Sequence, residues 1–394
     1  MSGMTKFKIL TLNNIATEGL DRLPRDNYEI ASEIGHPDAI LLRSYKMHDM
    51  DIPDTLRAVG RAGAGTNNIP VDKMTEKGIP VFNAPGANAN AVKELVIAGM
   101  LMASRNIAQA WDYASNLEGD DAQIGKDVEA GKKKYVGFEL PGRTLGVVGL
   151  GAIGVQIANA AIALGMKVIG FDPSVTIQSA WKLSADAERA NSIDELLSKA
   201  DFVTFHVPLI DATRNMINAD RLQRMKDNVV ILNFARDGIV DDAAVLKALD
   251  DGKVYAYISD FPSNENKNHP RVIVLPHLGA STGEAETNCA IMVADQVRDY
   301  LENGNILNSV NFPEMQMPRA GGPRIAIANS NVPNMVGQIS SVLADAGINI
   351  DDMLNRSRGE LAYNLVDVSG DVSDGVLDQL RGIEGVLSVR LLPA

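Results

Sequence analysis

Gly149-Leu150-Gly151-Ala152-Ile153-Gly154 follows the apolar pair Val147-Val148 and opens the apolar segment Val155–Leu164. Glycines at that spacing, between a strand and a helix, suit a phosphate cradle. The first permits the tight turn, the second lets a pyrophosphate approach the backbone, and the third allows close helix–strand packing. The helix N-terminus, with the N–H groups of Ala152 and Ile153, favours negative charge. Asp172 closes the next strand, 18 residues after Gly154. Its carboxylate suits both ribose hydroxyls and repels a 2′-phosphate, which favours NAD over NADP. A strand–helix turn without a ligand is the bland alternative.

Two of the five histidines, His277 and His206, end apolar strands, in Val274-Leu275-Pro276-His277 and Phe205-His206-Val207-Pro208. Oxidising an alcohol by hydride transfer needs a base near neutral pKa for the hydroxyl proton. Either position presents one; the small residues and helix after His277 favour it over His206. His36, His48 and His269 suit solvated loops. No histidine pair has metal-ligand spacing, so no metal is expected. Arg236, in Asn233-Phe234-Ala235-Arg236-Asp237-Gly238, follows a strongly apolar strand. There a guanidinium can grip a carboxylate with two parallel hydrogen bonds, or equally form a surface salt bridge. Asp260 and Glu265 precede His277, and a carboxylate beside an imidazole fixes its tautomer; most acidic loop residues are merely solvated.

These groups need a scaffold, and the alternation of short apolar runs with helical patterns supplies one of α/β class with parallel strands. Lys8–Leu12, Ala39–Leu42, Ala58–Ala62 and Pro80–Phe82 read as strands, with helices at Thr17–Leu23 and Val71–Lys77 and a buried helix at Ala89–Met102. A second unit reads as strands Thr144–Val148, Lys167–Phe171, Phe202–Phe205, Val229–Asn233, Val254–Ser259 and Val272–Leu275, then a helix at Ser281–Asn303. Residues 111–140, charged and carrying Lys132-Lys133-Lys134, read as an exposed arm. Residues 313–322 have linker composition, and 323–394 read β-α-β-β-α-β, a ferredoxin-like unit. The chain has 394 residues, enough for two or three domains, and a net charge of −13. That charge rules against a nucleic-acid partner, though not against a small anion in a locally basic pocket. No apolar run approaches the ~18 residues of a membrane span. Met1–Leu12 reads as a polar lead into a strand rather than a signal peptide, and the single cysteine, Cys289, excludes a disulfide framework. A reduced, cytoplasmic protein is expected.

In order, Gly149–Gly154, Asp172, His206-Val207-Pro208, Asn233–Asp241 and Pro276-His277 resemble the D-2-hydroxyacid dehydrogenase family. The resemblance implies that Arg236, Glu265 and His277 form the catalytic set. It implies cofactor contacts at Gly149, Gly151, Ala152, Ile153, Gly154, Asp172, His206, Val207, Pro208, Phe234, Ala235, Asp260 and Gly279. It further implies two doubly wound parallel-sheet domains: a split, flavodoxin-like substrate domain at 1–88 and 277–312, and a Rossmann NAD domain at 89–276. Two departures stand out: Asp237 replaces the usual glycine after the arginine, and Asn266 replaces the usual proline after the glutamate.

On the substrate side, Arg43 and Ser44 match the family's substrate-phosphate position. The Arg61–Asn67 loop, with Ala64 and Gly65, should meet the substrate carboxylate through backbone N–H groups, and Asn83 matches another substrate-side position. Residues 323–394 resemble an ACT domain, a small amino-acid-binding module, with Asn329 and Asn349 on effector-contacting positions. Ile327 stands where a histidine is usual, and Pro333-Asn334 where Pro-Gly is usual. Together the modules imply oxidation of a phosphorylated 2-hydroxy acid, 3-phospho-D-glycerate, and self-association as a dimer or tetramer, with the ACT unit either taking L-serine as an effector or kept for assembly alone. Lys132–Lys134 could add positive potential across such a dimer, or simply be solvated. A hydroxypyruvate or glyoxylate reductase and a non-enzymatic NAD-sensing corepressor are the rival readings.

Overall fold

A computed structural model describes residues 6–392, so Met1–Thr5 of the expected polar lead lie outside the described residues. Residues 1–87 with 286–394 make one compact unit, and residues 88–285 the other.

The first unit holds the strands β1 (Phe7–Leu12), β2 (Tyr28–Ala31), β3 (Ala39–Leu42), β4 (Ala58–Arg61) and β5 (Val81–Phe82). They pair in parallel in the order β2-β1-β3-β4-β5, the flavodoxin-like order. All four residues of β3 are buried, because a doubly wound sheet is covered on both faces. The chain returns through the helix Gly283–Asn303, which lies so close to the sheet that a Cβ on Gly60 would sit 2.7 Å from Val293.

The second unit is a seven-stranded parallel sheet of β6 (Thr144–Val148), β7 (Lys167–Phe171), β8 (Ala187–Arg189), β9 (Phe202–Phe205), β10 (Val229–Asn233), β11 (Val254–Ser259) and β12 (Val272–Val274). Its order is β12-β11-β10-β9-β6-β7-β8. Alternate residues feed opposite cores: Val230 and Leu232 pack with Val155 and Ile157, Val229 and Ile231 with Leu196 and Leu222. The order reverses between β6 and β9, and the crevice beyond the carboxyl ends of those strands is where such sheets hold ligands. Residues 111–140, the expected arm, are mostly exposed and largely helical. Helices Ile107–Ser115 and Asp121–Gly131 fold against each other, with the Tyr113 hydroxyl donating to Asp127 O at 2.7 Å and the Tyr113 and Tyr135 rings 5.4 Å apart.

The last four strands are β13 (Arg324–Ser330), β14 (Asn349–Arg358), β15 (Leu361–Ser369) and β16 (Val386–Leu392). They form an antiparallel sheet in the order β14-β15-β13-β16, with helices Met335–Asp345 and Asp374–Arg381 packed on the face of Ile325 and Val366. The opposite face, through Ala326, Ala328, Tyr363 and Leu365, joins the core of Phe82, Tyr300 and Phe312. Residues 313–322 therefore do not act as a free linker. Met315 and Met317 are buried. The fully buried guanidinium of Arg324 pairs with Asp367 and donates to the carbonyls of Asn303, Met317 and Pro318. The C-terminal sheet belongs to the same compact unit as the N-terminal one. Among the described residues no helix is long and apolar enough to cross a membrane.

Candidate active site

Within residues 88–285 the glycine turn has the geometry its spacing predicts. Gly149 has φ +91°, and a Cβ there would lie 2.5 Å from His206 O. A Cβ on Gly154 would collide with Gly149 O at 1.9 Å, whereas one on Gly151 would meet nothing within 4 Å. Two glycines are thus required by the protein's own backbone, and the middle one faces open space at the N-terminus of the helix Ala152–Ala163. That is the arrangement a diphosphate needs. The Asp172 carboxylate is held by the N–H groups of Leu150 and Ser174, each at 2.8 Å. It stands as a fixed negative group beside the turn, compatible with a ribose diol and opposed to a 2′-phosphate. The residues present fit NAD.

His206 follows β9, and its backbone N–H donates to Val148 O at 2.8 Å. Its Nε2 lies 2.9 Å from Thr204 Oγ1, and desolvation pushes its pKa down to about 3. It stays neutral near pH 7 and is far too weak a base for the hydroxyl proton.

His277 is exposed and sits at φ +55°, in the left-handed region that a non-glycine residue rarely occupies. Its ring meets Phe261 edge-on at 5.3 Å. The turn is held from below by Asp260, 1% exposed, whose Oδ1 accepts from Leu278 N–H at 2.9 Å and whose Oδ2 accepts from Gly279 N–H at 3.0 Å. Asp260 was expected at the cofactor; both of its oxygens grip the segment just after His277.

Glu265 is exposed and its carboxylate makes no hydrogen bond or ion pair among the described residues, so the expected Glu265–His277 contact is not formed in this structure. Its loop is nevertheless anchored. The neighbouring Asn266, fully buried, donates to Asp242 Oδ2 at 2.8 Å and to Phe261 O at 3.1 Å, and its Oδ1 accepts from Ser263 N–H at 2.8 Å. Burial raises the pKa of Asp242, and hydrogen bonds from Asn266, Tyr257 and Ser263 oppose that rise. Sequence reasoning missed Asp242 and Asn266; the signal was the departure from proline at position 266.

Arg236 leaves the end of β10 with its guanidinium exposed and, among the described residues, bonded only to Ala235 O, at 2.6 Å. Asn233 shapes this turn by donating to Arg236 O at 3.0 Å and accepting from Ala235 N–H at 3.3 Å. An exposed guanidinium without a carboxylate partner is available to an anionic ligand.

In the other unit, Arg43, Arg61 and Asn83 follow the carboxyl ends of β3, β4 and β5. Arg61 Nε donates to Arg43 O at 3.1 Å, and its Nη1 lies against Gly63, where a Cβ would come within 2.3 Å of it. Arg61 therefore braces the Gly63–Gly65 loop from behind, while Asn83 Nδ2 donates to Ala64 O at 2.6 Å. Ser44 N–H donates to Asn13 Oδ1 at 3.1 Å. Arg43 is already ion-paired with Glu286 at 2.7 Å, a partner the sequence did not reveal. Lys132–Lys134 are exposed, and Lys132 pairs with Glu129. Of the two expected effector positions, Asn329 is fully buried, donating to Ser330 O and accepting from Asn364 Nδ2, both at 2.7 Å. Asn349 is exposed and donates to Asp351 at 3.0 Å.

The sequence profile of the D-isomer specific 2-hydroxyacid dehydrogenase NAD binding domain matches residues 97–279, the stretch that carries the glycine turn, Arg236 and His277. A D-3-phosphoglycerate dehydrogenase of Methanocaldococcus jannaschii is 36% identical over 377 residues, 92% of this chain and 66% of that protein. One of Haemophilus influenzae is 34% identical over 349 residues, covering 86% of this chain and 81% of the relative. Among solved structures, an NAD+-bound 3-phosphoglycerate dehydrogenase of Entamoeba histolytica superposes with a TM-score of 0.60 at 24% identity, over 78% of this chain and 99% of that one. At that identity the structural likeness speaks for the fold alone. The chain belongs to the D-3-phosphoglycerate dehydrogenase family of D-isomer specific 2-hydroxyacid dehydrogenases.

Proposed function

We propose that the chain oxidises 3-phospho-D-glycerate to 3-phosphohydroxypyruvate with NAD. The observation that carries this reading is the pairing of a fitted dinucleotide turn with an exposed Arg236, without a carboxylate partner among the described residues, and a His277 held at a strained strand-end turn. NAD, when bound, supplies the acceptor for the hydride that leaves substrate C2. Gly149, Gly151 and Gly154 with the Ala152 and Ile153 N–H groups hold its diphosphate, and Asp172 its ribose diol. Arg236 grips the substrate carboxylate and polarises the C2 oxygen, as a planar fork of donors suits. The first unit offers anion donors of its own, the Ala64–Gly65 backbone N–H groups and Arg43, the latter once Glu286 releases it. His277 Nε2 or Nδ1 takes the hydroxyl proton, and Glu265 stabilises the imidazolium that forms when its loop brings it within reach.

The C-terminal sheet has the β-α-β-β-α-β order of an ACT-type module. Self-association through the helical arm is supported by exposed apolar side chains there, Trp111 at 69% and Val136 at 75%. His277→Ala should lower turnover by orders of magnitude and leave NAD affinity, measured by calorimetry, within about twofold. Turnover like that of the unsubstituted chain would remove His277 from the role of base.

A further inference from the structure

The parallel sheet of the first unit has two ends, and the candidate substrate groups occupy only one. At the other, where β1, β3, β4 and β5 begin, a cleft of about 710 Å³ opens between this sheet and β16 with the helix Asp374–Arg381. Six lysines and arginines line it against three aspartates, in a chain whose net charge is −13. A local cationic excess in an acidic protein is not explained by average composition.

Arg381 pairs with Asp378 at 2.7 Å and Lys6 donates to Arg25 O at 2.6 Å, whereas the other four cations are poorly neutralised. The Lys8 ammonium has no partner among the described residues. Arg57 reaches Asp38 at a loose 3.3 Å, and the other oxygen of Asp38 is occupied by the backbone N–H of Lys8 at 2.8 Å. Among the described residues Lys77 meets only Asp54, at 3.5 Å, on a carboxylate that is almost wholly exposed. Arg390 stacks over the Tyr300 ring at 4.4 Å and donates through its Nη atoms to Tyr300 O and Leu301 O, which leaves its Nε buried without a partner. Burial, and then the like charge of Arg390, lower the proton affinity of Arg57. Arg57 thus has a loose pairing with a carboxylate that also serves a backbone N–H, Arg390 has no carboxylate partner among the described residues, and phosphate is the group whose geometry fits a guanidinium fork.

We propose that this cleft binds a small phosphate-bearing anion, which bridges the parallel sheet and the C-terminal sheet through Lys8, Arg57 and Arg390. The volume lies in the range of small-molecule sites. The site is separate from the candidate substrate groups, since Arg43 and Arg61 lie at the opposite ends of β3 and β4.

The test uses the full chain with NAD at saturation, so that the glycine turn is filled, and titrates inorganic pyrophosphate by calorimetry at low salt. The unsubstituted chain should bind it and melt at a higher temperature in its presence. Lys8→Gln and Arg57→Gln should each weaken binding by about tenfold or more, while Arg43→Gln should leave it unchanged. Lys8 has no internal bond through its ammonium, so Lys8→Gln remains informative if Arg57→Gln fails to fold. No binding to the unsubstituted chain would overturn the proposal. Undiminished binding in Lys8→Gln would do the same, as would binding lost only in Arg43→Gln, which would put the anion at the substrate groups.

Discussion

Asp260→Asn keeps the shape of a side chain that is 1% exposed but removes one of two acceptors. In the native protein each carboxylate oxygen serves one backbone donor, Leu278 N–H at 2.9 Å and Gly279 N–H at 3.0 Å. The amide can serve one of them, and its NH2 group then faces the other. A stranded buried donor costs about 1–3 kcal/mol, and the surviving bond loses roughly 1 kcal/mol of charge assistance. The total, about 2–4 kcal/mol, corresponds to a fall of about 1–2 M in the urea midpoint at a slope of ~2 kcal/mol/M. The released segment directly follows His277, whose φ of +55° persists only while its surroundings enforce it. A displacement of about 1 Å in the base lowers kcat by about 100-fold. Urea unfolding followed by circular dichroism, together with steady-state kcat, reads both effects. A midpoint and a kcat that both match the unsubstituted protein would refute the role given to Asp260. Lost stability with unchanged kcat would confine that role to folding.

Arg236→Lys replaces a planar fork by a point charge, and kcat/KM for the phosphorylated acid should fall by about 100-fold or more; a change under threefold would take Arg236 out of carboxylate binding. Glu286→Gln frees Arg43 from its 2.7 Å ion pair and should lower KM for the phosphorylated substrate several-fold without moving KM for NAD. An unchanged substrate KM would show that Arg43 does not meet the phosphate. His206, with its pKa pushed down to about 3 by burial, is neutral in the folded chain, while the unfolded chain protonates near 6.5. The unfolded state therefore binds the extra proton, and His206 removes stability as pH falls from 6.5 toward 3, by about 1–2 kcal/mol at pH 5. Urea midpoints at pH 7 and pH 5 should converge in His206→Gln relative to the unsubstituted protein; an identical pH dependence in both would contradict the buried neutral imidazole. Trp111→Glu should shift the chain toward monomer in size-exclusion chromatography with light scattering, and an unchanged mass would place any self-association elsewhere.

The central strands were legible because burial on both faces makes them continuous apolar runs; β6, β7, β9, β10 and β11 lie at the predicted residues. The edge strands β2 and β8 were not. β2 carries Glu29 and β8 carries Glu188 and Arg189, since an edge tolerates charge that blurs the pattern. Residues 313–322 looked like a linker because proline and glycine composition reports local conformation, and the buried Arg324–Asp367 pair that fixes this stretch involves a residue far along the chain. At the site, the glycine turn was readable because backbone geometry dictates residue type there. The roles of Asp260 and Asn266, and the pairing of Arg43 with Glu286, depend on which groups the fold brings together, and no local pattern encodes that.

The most direct measurement is the initial rate of NAD reduction by the purified chain with 3-phospho-D-glycerate, beside D-glycerate and other unphosphorylated 2-hydroxy acids. A kcat/KM for the phosphorylated acid at least about 100-fold higher is expected, the worth of one guanidinium–phosphate contact. Equal or better rates with the unphosphorylated acids would contradict it.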